Sequence, residues 1–385
     1  MIARRHQVAL ALTALLAAAA ACQAHDREPA SGHPAPSPSR GFTLVATGDI
    51  VPHASVVDRA RFDAGGTGYD FGPMFTGIQP VVTGADLALC HLETVRVAAD
   101  PAADSLPRLA AALATTGYDG CSTASEHALD DGPDGVRRTL DALDGTGVRH
   151  AGTARSEAEA AAVPLLSAGP AKVAHLAYTY DTDGRPLPDG QPWALSLIDE
   201  NKIVADARNA RRAGADVVVV SLHWGTEWQD APDGRQLALA RTLTASRTGG
   251  RPDIDLILGS HAHVPQAYEK VNGTWVVYGL GDQVAGETPN RAGVVDPRAN
   301  QSSVARFTFS PPARPGARWE VTRAAFVPGL FDLDAGRVVD LDRALAQGAD
   351  VGGVRDRIRD LVLSRGAAQD GLVTGEQEGQ GEYGQ

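Results

Sequence analysis

Histidines and carboxylates stand at the ends of apolar runs throughout this sequence, and these are side chains that hold transition metals. Asp49 ends "FTLVATGD", His91 and Glu93 end "DLALCHLE", and Glu126 and His127 end "YDGCSTASEH". His223 ends the "VVVVSL" run, and His261 and His263 close "DLILGSHAH". One histidine after a strand would be read as structural. The same placement repeated along the chain points to a site. Imidazole with carboxylate is ligand chemistry for Mn, Zn or Fe; thiolate is absent from the set, and an all-oxygen Ca or Mg cage is not what is offered. So many donors exceed one four-coordinate site and favour two divalent metal ions. A bridging carboxylate would hold such ions ~3.5–4 Å apart around an activated water, and Glu93 is the natural bridge.

The elements that must position these residues are short. Several β-type runs alternate with helix-like stretches, the pattern of an α/β domain. Helix candidates are "SLPRLAAALATTG", "DGVRRTLDALDGTG" and "DENKIVADARNARRAG", the last leading into "DVVVVSLHWGTEW". "VPQAYEKVNGTWVVYGLGD" reads as a hairpin turning at Asn272-Gly273. In open α/β sheets ligands bind beyond the carboxyl ends of the strands, so the polar termini are aimed at a shared rim. In an extended turn, residues two apart project to the same side, and His261 and His263 would each serve a different ion.

Other residues read less specifically. His53, on the loop after Asp49, is either a further ligand or a bystander. Trp224 and Trp228 flank the His223 loop and serve either packing or a substrate platform. His53, His91, Trp224, Glu227 and Asp282 are expected to face substrate. His150 and His175 belong to interior strands and read as structural, and Asp130 and Asp131 as charges at a helix N-terminus. No G-x-S-x-G elbow or P-loop is present, which argues against serine hydrolase and NTPase chemistry.

At 385 residues the chain has ample apolar content for a packed core. Residues 1–21 read as an export signal, with Arg4 and Arg5 preceding an apolar segment. Cys22 follows as a lipobox cysteine would, predicting a lipoprotein on the outer face of the cell membrane. The alternative is secretion after ordinary cleavage, for example after Ala24. Residues 22–40 read as a flexible Pro/Ser-rich tether, 41–365 as the folded domain and 366–385 as a disordered acidic tail. Beyond the signal no apolar stretch reaches the ~20 residues of a spanning helix. Loss of Arg4 and Arg5 takes the formal charge from −12 to −14, which argues against nucleic acid as a partner. Cys90 and Cys121 are too few for a disulfide scaffold. Buried free thiols are the default reading, with a bond between them open in an exported protein.

An ordered set of motifs now gives a resemblance. "GDIVPH", "ADLALCHLETV", "GYDGCSTASEHALDDGPDGVRRTLDALDGTGVRHAGT", "VVVVSLHWGTEW", "DLILGSHAHVPQ" and "VVYGLGDQ" run in sequence from about Phe42 to about Val284. The chain resembles the CapA family of capsule and poly-γ-glutamate synthesis proteins, related to the calcineurin-like metallophosphoesterases. The resemblance implies a metallophosphoesterase-like α/β/β/α sandwich of two β-sheets flanked by helices, with a dinuclear site at the strand ends. It implies Asp49, Glu93, Glu126, His223, His261 and His263 as metal ligands and His127 as the acid near the leaving group. Three positions depart from the pattern. Asp49-Ile50-Val51 lacks the histidine of Asp-x-His, Glu126-His127 replaces Asn-His, and Asp282 replaces the Asn of a Leu-Gly-Asn turn.

Two functions are therefore expected. One is an exported, lipid-anchored, metal-dependent hydrolase acting in capsule or poly-γ-glutamate-type polymer biosynthesis. The other is a non-catalytic, surface-anchored factor that handles or exports the polymer. The partners expected are the envelope polymer or its precursor and membrane-embedded capsule synthesis proteins, with the membrane met only through the N-terminal anchor.

Overall fold

The computed structural model describes residues 41–93, 105–288, 293–296, 298–314 and 317–375. The expected signal, Cys22 and tether lie outside these residues. The strands in chain order are β1 (Phe42–Ile50), β2 (Leu87–Leu92), β3 (Gly120–Ser122), β4 (Arg149–Ala151), β5 (Leu165–Ala168) and β6 (Ala171–Thr179). They continue as β7 (Val217–His223), β8 (Arg247–Thr248), β9 (Arg251–Pro252), β10 (Leu256–Ser260), β11 (Tyr268–Val271) and β12 (Thr274–Val277). The last are β13 (Asp282–Val284), β14 (Gln301–Ser310), β15 (Glu320–Asp332), β16 (Arg337–Asp340) and β17 (Leu372–Thr374).

Two large sheets result. The first runs β16-β15-β14-β1-β2-β3-β4, with β13 added to β1 and β17 to β15; the second runs β11-β12-β10-β7-β6-β5. The neighbours β1, β2, β3 and β4 are parallel, as are β12, β10, β7 and β6.

Strand periodicity sorts side chains between layers. In β1, Phe42, Leu44 and Ala46 enter a core shared with Val217 and Val219 of β7, so this core lies between the sheets. Val45 and Ala88 face the other way, against Val56, Ala60, Leu109 and Leu113 of the helices Ala54–Asp63 and Ser105–Thr116. Val218, Val220 and Leu222 likewise face Ile203, Ala207 and Leu243 of the helices Glu200–Arg212 and Gly234–Ala245. Layers therefore run helix, sheet, sheet, helix, and the expected α/β/β/α sandwich is present.

The expected helices form, each with a local cause. Asp199 caps Glu200–Arg212 by accepting from the Lys202 N–H, and Asp233 with Gln236 makes a capping box on Gly234–Ala245. The hairpin β11–β12 turns at Asn272 and Gly273, whose φ values of +50° and +80° suit the tight turn. Among the described residues no helix is long and apolar enough to cross a membrane.

Two readings are corrected. Cys90 and Cys121 are register partners on β2 and β3, with Cα atoms 4.4 Å apart, and are joined in a disulfide rather than left as thiols. The folded domain also does not stop at 365. β17 pairs in parallel with β15, and Ala367 and Leu372 are buried in the inter-sheet core. The stretch had been read as a polar tail because its few apolar residues are spaced among glycines.

Candidate metal centre

The strand ends converge. Two chain crossings explain why Gly precedes Asp in both "GD" pairs. The Asp49 N–H donates to the Gly281 carbonyl at 2.8 Å, and a Cβ on Gly48 would lie 1.9 Å from that oxygen. Gly281 itself is at φ +72°, where a Cβ would meet the Gln301 carbonyl at 2.2 Å. Only glycine allows β1 and β13 to approach this closely. The register then sets Asp49 opposite Asp282.

Several groups of donor atoms lie within 4.8 Å of one another. Asp49, His263 and Asp282 form one, all buried; Glu126, His223 and His261 form another. Glu93 belongs both to a group with His91 and His223 and to one with Glu126 and His127. Its oxygens stand 3.7 Å from His223 Nε2, 4.0 Å from His91 Nε2 and 3.9 Å from His127 Nε2. Every expected ligand is thus brought into the cluster. His91 and Asp282, expected to face substrate, are placed among the donors, with Asp282 Oδ1 2.9 Å from His263 Nδ1. Glu227, half-buried, joins His261 and His263 at the rim.

The histidines are oriented from behind. His91 Nδ1 is 2.7 Å from Ser122 Oγ, and His223 Nδ1 is 3.0 Å from Ser260 Oγ, which turns each Nε2 into the cluster. Glu126 lies between His223 Nε2 and His261 Nδ1. His261 and His263 do not sit in an extended turn: their φ values are +85° and +57°. The left-handed backbone still sends them to different groups, His261 towards Glu126 and His263 towards Asp282.

Unmet hydrogen-bonding capacity is concentrated here. Asp49 Oδ1, His91 Nε2, Glu93 Oε2, His261 Nδ1 and Asp282 Oδ2 are buried without a hydrogen-bond partner; the 2.9 Å approach of His261 Nδ1 to Glu126 lacks the angle for one. Buried polar atoms are nearly always paired, and clustered exceptions of this donor type fit divalent cations.

Electrostatics agree. Burial, then the nearby Asp282, pushes the Asp49 carboxyl up to about 8. Burial, then Glu126, holds Glu93 well above the usual carboxylate range. Burial pushes His223 down to about 4, favouring the neutral ring a metal requires. Burial would raise Glu126, but His223 and His261 outweigh it and hold it below its ordinary range. Burial would lower His263, but Asp282 holds it well above the usual histidine range. Crowded carboxylates of this kind are relieved by cations.

His127 is placed differently. Its Nδ1 donates to Asp130 Oδ2 at 3.2 Å, and Arg185 Nε donates to Asp130 Oδ1 at 2.8 Å. The Asp130 hydrogen bond raises His127 to about 9, so a protonated imidazole presents Nε2 towards Glu93. Asp130 is therefore more than a helix-terminal charge. The signal for it was the His-x-x-Asp spacing, which lets the two side chains meet on one turn.

His53 lies at the same rim. Burial lowers its pKa, with Asp282, His263 and His127 as the next influences. Trp224 is a correction. It is buried against Tyr278, its indole N–H donating to the Tyr278 carbonyl at 2.9 Å, so it cannot contact substrate. Trp228 is the rim aromatic, stacked on His263 with ring centroids 5.3 Å apart, and Tyr180 lies 4.7 Å from His261. Tyr180 had no local signal beyond its place at the end of a strand run.

A cavity of 630 Å³ opens elsewhere, along Arg155, His175, Tyr178, Trp193 and Lys202. Its polar groups are already matched, with His175 on Ser221 at 2.8 Å and both Tyr178 and Lys202 on Asp206. The chemistry belongs with the strand-end cluster.

Four layers with such a cluster at the strand ends define the calcineurin-like metallophosphoesterase class of fold. The family model described as bacterial capsule synthesis protein PGA_cap matches residues 43–287, and the chain belongs to that family. It is 27% identical over 176 residues to the capsule biosynthesis protein CapA of Bacillus anthracis, covering 45% of this chain and 41% of that protein. It is 29% identical over 195 residues to the PGA biosynthesis protein CapA of Bacillus subtilis (strain 168), covering 49% of each. The chain thus spans about half the length of these curated relatives. Among solved structures it is similar to the calcineurin-like phosphoesterase YfkN of Bacillus subtilis, with TM-score 0.43 and 13% identity over 84% of this chain and 100% of that one.

Proposed function

We propose that this chain is an exported protein of capsule or poly-γ-glutamate-type polymer biosynthesis, anchored by lipid on Cys22, which holds two divalent ions and hydrolyses a bond in an envelope polymer or its precursor. The observation that carries this reading is the convergence of buried, unpartnered donor atoms from Asp49, His91, Glu93, His261 and Asp282. When bound, Mn, Zn or Fe ions supply Lewis-acid polarisation of a substrate oxygen and a water nucleophilic at neutral pH.

The chain's own residues do the rest. Asp49, His263 and Asp282 would hold one ion and Glu126, His223 and His261 the other, with Glu93 between them. Ser122 and Ser260 fix the ring orientations of His91 and His223. His127, its proton kept by Asp130, would protonate the leaving group from Nε2. Trp228 and Tyr180 wall the entrance, where water would be displaced as the polymer enters. Membrane-embedded capsule synthesis proteins are the partners that would deliver the polymer to an anchored chain.

One observation favours a second reading, a polymer-handling factor without turnover. Glu126 brings an added negative charge to the cluster, which lowers the Lewis acidity of any ion it holds. Metal analysis of protein purified without chelator, paired with hydrolysis assays before and after adding Mn or Zn, separates the two. Two bound ions with metal-dependent turnover support the hydrolase; two ions without turnover favour the handling factor. No bound transition metal would overturn both forms of the metal reading.

A further inference from the structure

The charge on the cluster deepens that reading, on which this inference rests, by naming the bond acted upon. We infer that the loaded site takes the neutral carbonyl of an amide and rejects a phosphate dianion.

Asp49, Glu93, Glu126 and Asp282 are all buried around the donor atoms. Bound to metal they are deprotonated, and the histidine ligands are neutral. Four carboxylates cancel the charge of two divalent ions. No cation nearby restores a surplus. The strongest influences on Asp49, Glu93 and Glu126 are other site carboxylates and histidines, with no Lys or Arg among them. Arg185 is matched by Asp130, and Arg298 by Asp230 and Asp296. Glu227, beside His261 and His263, adds a further acid at the mouth.

A phosphate dianion entering here would lose its hydration and gain no net opposite charge, an arrangement that costs several kcal/mol. A carbonyl carries a dipole and no charge, so it gains polarisation without that cost. The rings of Trp228 and Tyr180 at the entrance suit the flat, uncharged amide unit better than a solvated phosphate.

The step balances without another reactant. Water forms a bond to the carbonyl carbon and the C–N bond breaks. The nitrogen leaves as an amine with the proton from His127 Nε2, and the proton lost by water returns to His127. The products are a carboxylic acid and an amine.

Calorimetry with inorganic phosphate tests the charge argument, on Mn-loaded protein whose metal content is measured in the same samples. Wild type should bind phosphate no tighter than millimolar. Asp282→Asn, or Glu227→Gln where the first variant loses metal or fails to fold, should bind it about tenfold tighter, as removal of a nearby like charge requires. Loaded wild type should also release p-nitroaniline from γ-glutamyl-p-nitroanilide faster than p-nitrophenol from p-nitrophenyl phosphate. Micromolar phosphate binding by wild type, no tightening in either variant, or faster phosphate ester cleavage would overturn the inference. Absence of metal from wild type is a separate result, overturning the reading beneath it.

Discussion

The backbone N–H of His261 donates to Asp49 Oδ2 at 2.9 Å, tying the first strand of one sheet to the loop that closes a strand of the other. The bond holds a strained segment, since His261 and His263 sit at φ +85° and +57°. Such conformations cost a non-glycine residue of order 1–3 kcal/mol each. Asp49 is therefore both a donor to metal and a brace for two other donors. Asp49→Asn keeps an accepting oxygen and should preserve metal-free stability. Asp49→Ala leaves a buried N–H unpaired and should cost about 1–3 kcal/mol. Both should lose metal affinity. Thermal melts with and without Mn check this, and equal melting temperatures for the two metal-free variants would contradict it.

The same carboxyl predicts a pH dependence. Asp49 is raised in the fold from 3.8 to about 8 by burial and Asp282. A raised group binds its proton more tightly when folded, so its contribution is complete below its unfolded pKa. That contribution is lost as pH rises through about 8. Metal-free wild type should lose stability between about pH 4 and pH 8 relative to Asp49→Asn, whose position does not titrate. Urea midpoints across that range measure the difference; parallel curves would refute it.

Asp130 should control the proton on His127. Asp130→Asn removes the hydrogen bond that raises His127 to about 9, and the imidazole pKa should fall towards the ordinary histidine range. An NMR titration of the His127 ring reads this directly. In a hydrolytic assay the basic limb should move to lower pH by a similar amount. A His127 titration unchanged in the variant would show that Asp130 has no such role.

The two tryptophans of one loop should behave oppositely. Trp224→Ala empties a buried position and should cost about 3–5 kcal/mol. Trp228→Phe should alter stability by less than about 1 kcal/mol. Because Trp228 lies on His263, its fluorescence should change when Mn is added. That response should disappear in Trp228→Phe and persist in Trp224→Phe.

Much of this was legible in sequence because each donor ends an apolar run. Once Leu44, Leu87, Val219 and Leu256 enter one core, the residues that follow them must reach a common edge. The Asn272-Gly273 turn was legible for the same local reason, a pair suited to positive φ. What was hidden depends on partners far apart in sequence. Nothing near Trp224 reveals that its N–H meets the Tyr278 carbonyl, and nothing near Cys90 sets its register against Cys121. Arg185 reaches Asp130 across 55 residues, and β17 returns to β15 from a stretch whose composition suggested a tail.

The central claim is that one buried cluster holds two ions, and anomalous diffraction from crystals grown with Mn or Zn tests it most directly. The account predicts two peaks, one among Asp49, His263 and Asp282 and one among Glu126, His223 and His261, with Glu93 between them. No peak at the cluster, or a single peak with the other group still closed by its own hydrogen bonds, would contradict it.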